Sequence, residues 1–181
     1  GHKEAYRYAD VFSFVPYFFG GFEELRGVRS VNEIFAMLSD PKFRYSLPKV
    51  LEYIAKQVEV SEKFGLELIA YEGGQGLVDF KSSTDDQHPN PLLYAANRDP
   101  RMYGLYIQFL QGWKQAGGKL FAHYSAPRSY RKFGSWGAKE YSAQPTAEAP
   151  KYRALLNFMR DNPCWWAGCG GGGFRPSRPA R

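Results

Sequence analysis

Cysteine is scarce in this chain, and histidine nearly so. Cys164 and Cys169 are spaced C-x4-C with no second pair, while His2, His88 and His123 are far apart in sequence. This supply excludes a disulfide scaffold and offers no four-ligand zinc pattern, so no metal is expected and the two cysteines read as free thiols. Long apolar runs are also missing. No window approaches the roughly 18 consecutive apolar residues of a membrane helix, and no membrane partner is expected. No basic stretch leading into an apolar one opens the chain, so no signal peptide is read and the compartment stays open. Acids are absent from residues 164–181, which hold Arg175, Arg178 and Arg181; setting that segment aside leaves 21 basic against 18 acidic residues. A basic stripe for phosphates needs clustered Lys and Arg, and here they are dispersed among acids, so no nucleic acid is expected.

What the chain does have is apolar and aromatic material. Hydrophobic residues make up 44% of the 181 and charged residues 23%, enough to bury a core. Aromatics reach 17%, which suits a ring-lined cleft. Composition divides the chain into a domain over residues 1–163 and a tail over 164–181, rich in Gly, Arg and Pro, that is expected to pack no core and to be disordered.

Within the domain, three strand-then-helix units follow one another. The first strand covers residues 10–19, an apolar run that suits a strand buried on both faces, with Pro16 ending the pairing. A short helix over 31–38 follows, with Ser30 as N-cap and Glu33 completing a capping box. Residues 47–64 place Leu47, Val50, Leu51, Ile54, Ala55 and Val58 on one helical stripe, with Ser46 as cap and Gly65 as the left-handed stop. The second strand is 66–71, closed by Glu72-Gly73-Gly74. A polar loop over 81–98 leads to a helix over 100–116, striped by Met102, Tyr103, Tyr106, Phe109, Leu110 and Trp113. The third strand is 119–124, a loop spans 125–144, and a last helix covers 149–160. This alternation predicts an α/β fold with a parallel sheet. Three strands close nothing; the long loops after each strand favour part of a (β/α)8 barrel of the TIM type over a small open sheet.

Glu72 stands out chemically. It falls where an apolar strand gives way to Gly73-Gly74, so the carboxylate is expected at a strand's C-terminal lip, with the glycines leaving room for a ligand. Tyr71 is positioned to orient it. Sugars present flat C–H faces to rings and hydroxyls to polar edges, so Tyr17, Phe18, Tyr71, Tyr124, Tyr130 and Trp136, all at or beyond strand ends, are candidate platforms. Trp136, flanked by Gly134-Ser135 and Gly137, is the foremost. His123 is read either as a partner for a substrate hydroxyl or as a core histidine. Gly73-Gly74-Gln75-Gly76 lacks the G-x-G-x-x-G spacing before a helix, so no cofactor is expected.

Tyr71-Glu72-Gly73-Gly74-Gln75 after an apolar strand resembles the nucleophile strand of retaining glycoside hydrolases in the large (β/α)8 clan that includes cellulases and β-glycosidases. The resemblance spans about residues 5–160. It implies a partial barrel of about three βα units and a β-linked, cellulose-like oligo- or polysaccharide as substrate. It also implies Glu72 as nucleophile; Tyr17, Tyr71, His123, Tyr124 and Trp136 are the substrate-binding candidates that the residues themselves offer beside it. That clan's acid/base glutamate sits on a strand this chain does not contain. Asp10, Glu23, Glu24, Asp85 and Asp86 are the candidate substitutes; Asp10 opens its strand and faces the far end of the sheet, while Glu23 and Glu24, just past the first strand, are on the expected side. A non-catalytic carbohydrate-binding protein and an inactive barrel fragment are the alternatives. Unpaired sheet edges predict a homo-oligomer.

Overall fold

A computed structural model describes residues 2–167 and Cys169. The first strand run is broken as the proline demands. β1 is Val11–Phe14 and β2 is Tyr17–Phe18, separated at Val15-Pro16, where Pro16 has no N–H to give a ladder. β3 (Glu67–Ala70) pairs in parallel with β1, Phe12 opposite Leu68; β4 (Gly74–Gln75) pairs in parallel with β2, Tyr17 opposite Gly74. Residues 119–122 run beside β3, bonded through Lys119 N to Leu68 O, Ala70 N to Leu120 O and Ala122 N to Ala70 O. They make one bridge, Ala70 to Phe121, and no longer ladder.

The architecture is therefore a small mixed α/β fold with two short two-stranded parallel sheets. It is not a barrel, and the expectation of a partial (β/α)8 barrel is corrected. Strands of four and two residues, interrupted at Pro16, form no continuous wall that could curve toward closure. Nor is β1 covered on both faces. Its residues alternate between exposed Val11 and Ser13 and half-buried Phe12 and Phe14, so one face is left open to solvent, and its free edge has no strand beside it among the described residues.

Among the described residues six α-helices pack around these strands: α1 Phe22–Gly27, α2 Val31–Ser39, α3 Leu47–Lys63, α4 Asn90–Arg98, α5 Arg101–Ala116 and α6 Pro150–Asp161. α3 lies against β3 and α5, α5 packs on α6, and α2 on α4. The apolar stripes meet in one core, where Ile54, Leu68, Tyr106, Phe109 and Trp113 are almost wholly buried. Four helices match the expected spans closely. α1 and α4 were not anticipated. α4 falls in the expected polar loop because Pro89, Asn90 and Pro91 read as turn residues, yet proline in a helix's first turn costs no hydrogen bond.

Helix ends follow the local chemistry unevenly. Ser30 Oγ accepts from Glu33 N at 3.2 Å, and the Glu33 carboxylate accepts from Arg29 N, one residue before the cap. α3 ends in a Schellman arrangement: Leu66 N donates to Ser61 O, Gly65 N to Glu62 O, and Gly65 takes φ +68°. Ser46 makes no side-chain cap bond; its hydroxyl is buried without a partner among the described residues.

The tail departs from expectation at its beginning. Cys164 and Cys169 form a disulfide and are not free thiols. Trp165 packs edge-on against Phe158 of α6, and its Nε1 donates to Gly118 O at 2.9 Å, so the tail's first residues belong to the packed body. Residues 170–181, the rest of the expected disordered tail, lie outside the described residues. Among the described residues no helix is long and apolar enough to cross a membrane.

Candidate functional site

The ends of β2 and β3 and the loops after them enclose a cleft of about 300 Å³ lined by Tyr17, Phe19, Phe22, Glu72, Gly76, Val78, Phe80, Tyr124 and Trp136. Three sequence-predicted residues therefore converge with Glu72: Tyr17, Tyr124 and Trp136. Among the described residues lining the cleft, Glu72 is the sole carboxylate.

The β2–β4 register sets Tyr17 opposite Gly74, two residues past Glu72, and so within reach of the Glu72 carboxylate. Tyr17 Oη donates to Glu72 Oε1 at 3.3 Å. Burial first, and then the facing Glu72, push the Tyr17 hydroxyl well above the ordinary phenol range, so it stays protonated and can only donate to the carboxylate. Tyr124 and Trp136 form the opposite wall, their rings edge to face with centroids 5.7 Å apart. Arg128 lies 5.3 Å from the Trp136 ring and donates to Tyr124 Oη at 2.8 Å, fixing both rings from one side. Gly134 is required here: it takes φ +123°, and any Cβ on it would run into the Trp136 indole, which folds back over its backbone.

Behind Glu72 the packing is polar and closed. Gly73 and Gly74 were expected to leave space for a ligand, but the protein fills that space itself. A Cβ on Gly73 would meet Pro16 O at 2.9 Å, and one on Gly74 would meet the Tyr106 hydroxyl at the same distance. That hydroxyl accepts from Gln75 N at 3.1 Å and faces His123 Nε2 at 3.0 Å. His123 thus supports the segment after Glu72 and is not among the residues lining the cleft. Burial, with Lys151 adding to it, pushes the imidazole down to about 3, so it is neutral at ordinary pH.

Other expected participants lie elsewhere. Tyr71 is exposed and outside the lining; Tyr17, across the sheet, takes the orienting role assigned to it. Phe18 is core, packed on Tyr106 and Phe109, and Tyr130 is buried beneath Arg98 and Lys151. Glu23 is ion-paired with Arg26 on α1, Glu24 is exposed beside it, and neither lines the cleft, so neither supplies the second carboxylate. Asp85 is held by Arg131 and by Lys132 N. Asp79, between the lining residues Val78 and Phe80, is committed to structure. Burial would raise its carboxyl, but the Ser82 hydroxyl, the Arg26 guanidinium and the Lys81 amide outweigh that and hold it below the usual range.

Phe19, Phe22, Val78 and Phe80 were missed as lining residues. Phe22 and Phe80 are exposed rings 6.0 Å apart at the rim, and apolar residues next to Gly20-Gly21 and Gly76 were the available signal. Among the described residues, no group of three or more His, Cys, Asp or Glu side chains could hold a metal ion. A ring-walled pocket with one oriented carboxylate can hold a small polar ring by its faces and present an oxygen nucleophile or hydrogen-bond acceptor to one edge. No family model, no curated protein and no solved structure matches this chain.

Proposed function

We propose that the cleft binds one sugar residue of a β-linked glycan, cellulose-like or related, and that Glu72 is the nucleophile of a retaining glycoside hydrolysis. The observation carrying this reading is Glu72, hydrogen-bonded by Tyr17 and faced by Tyr124 and Trp136 within one cleft. The resemblance of residues 71–75 to a glycosidase nucleophile strand points the same way. A Glu72 oxygen forms a bond to the anomeric carbon, and the bond from that carbon to the leaving oxygen breaks with its electron pair. Water then attacks the same carbon, releases the Glu72 carboxylate and loses its proton to solvent.

Proton delivery to the leaving group sets the limit. Among the described residues the cleft offers no second carboxylate, and general-acid help is worth roughly 10²–10⁴-fold. Aryl β-glycosides, whose leaving oxygens need little protonation, are therefore the substrates on which this site works. Glu72→Gln is expected to cut turnover of an activated aryl β-glycoside by roughly 10²-fold or more, the scale of single active-site groups. Equal turnover by parent and variant removes Glu72 from the mechanism.

The lone carboxylate also favours a second reading, a non-catalytic carbohydrate-binding protein using the same rings. Binding of soluble β-glucan oligosaccharides by a parent that turns over no aryl glycoside selects it.

A further inference from the structure

Trp136 sits in a twenty-residue connection, 125–144, that has no helix and a single bridge, Arg131 to Gly134. Arg128 braces the indole from one side, but no regular secondary structure of the connection sets where its backbone lies. The residue before Trp136 is anchored unusually well. Ser135 is completely buried, and its carbonyl oxygen accepts two hydrogen bonds, from Lys151 Nζ at 2.6 Å and from Gln75 Nε2 at 2.8 Å. Its hydroxyl donates to Leu77 O at 3.2 Å and accepts from Asn97 Nδ2 at 2.7 Å. The second acceptor for Lys151 Nζ is Asn97 Oδ1 at 2.8 Å, and the Tyr130 ring centroid lies 4.7 Å away.

Gln75, Asn97, Ser135 and Lys151 are all buried to within 1% and come from β4, α4, the connection and α6. Two of the four bear on the cleft directly. Gln75 belongs to the segment that begins with Glu72, and Ser135 is covalently next to Trp136. Among the described residues no carboxylate bonds Lys151, and its amine is compensated by these neutral oxygens. Moving Ser135 outward would strand a buried donor, and that disfavours every position of the connection but this one.

We propose that Lys151 is a positioning residue that fixes the Trp136 indole relative to the Glu72 carboxylate by clamping the Ser135 carbonyl against Gln75. The link to sugar binding rests on the reading above; the clamp itself is a property of the fold. It is tested on the indole N–H resonances of the ¹⁵N-labelled chain without any glycan, with Trp136 identified by its loss in Trp136→Phe. In Lys151→Met the Trp136 resonance is expected to shift or broaden while that of Trp113, deep in the core, stays in place. Binding of cellotetraose is expected to weaken about tenfold. An unmoved Trp136 resonance overturns the proposal, and so does an equal disturbance of Trp113, which marks a general structural role. If Lys151→Met does not fold, Asn97→Ser, which keeps the amine and removes its second acceptor, is read in the same two ways. Because the resonances are recorded without sugar, failure of the clamp leaves the Glu72 reading untouched. A parent that neither binds nor cleaves a glycan leaves the clamp result standing.

Discussion

At the scale of single residues, the cleft depends on one contact between strands that lie far apart in sequence. Tyr17 and Glu72 are 55 positions apart and meet through one hydroxyl at 3.3 Å. Tyr17→Phe keeps the ring that walls the cleft and deletes the donor. Hydrogen bonds to charged groups contribute about 1.5–3 kcal/mol, and this one is long, so the lower end applies. Turnover of an aryl β-glycoside is expected to fall about tenfold, with binding of cellotetraose by the same variant little changed. A kcat equal to the parent's shows that orientation by Tyr17 does not matter to the chemistry.

At the scale of elements, two serines at similar places in the sequence pattern do opposite things. Ser30 caps α2 by accepting from Glu33 N, whereas Ser46, just before α3, leaves its hydroxyl buried and unbonded among the described residues. Pro48 in the first turn of α3 removes one of the N–H groups a cap would satisfy. Ser30→Ala is expected to cost about 1 kcal/mol of unfolding free energy. Ser46→Ala should be neutral or slightly stabilising, because it deletes a desolvated hydroxyl. Urea unfolding of both variants checks this; an equal loss from each would show that side-chain capping does not account for the difference.

For the whole molecule, His123 ties stability to pH. Its imidazole titrates near 3 in the folded chain, lowered by burial and by Lys151, against about 6.5 when unfolded. Between those values the unfolded chain binds the additional proton, so folding loses ground as pH falls through 6.5 toward 3. The stability is fully present above about pH 6.5. At pH 5 the loss is at most about 2 kcal/mol. Carboxylates held below their usual range, such as Asp79, act in the same direction but at lower pH. Urea midpoints of the parent should drop from pH 7 to pH 5, and those of His123→Gln should drop less, the remainder coming from the buried Lys151 amine, which burial holds well below its usual range. Parallel curves for the two proteins would place the pH dependence elsewhere.

Local pattern determined the helices α2, α3, α5 and α6, the break at Pro16 and the turn at Gly65, because stripe spacing, a missing N–H and a left-handed φ act within a few residues of chain. It also marked Glu72, Tyr17, Tyr124 and Trp136 as residues able to serve one site. Tertiary structure decided what no local pattern encodes. It set how far each strand pairs, and hence that no barrel forms. It placed Tyr17, not Tyr71, on the carboxylate, and turned His123 inward to Tyr106. It drew Cys164 and Cys169 together and gathered Gln75, Asn97, Ser135 and Lys151 into one buried cluster. The physical reason is the same throughout. Propensity and periodicity fix the direction of a side chain on its own element, whereas its partner is chosen by packing between elements brought together from distant parts of the chain.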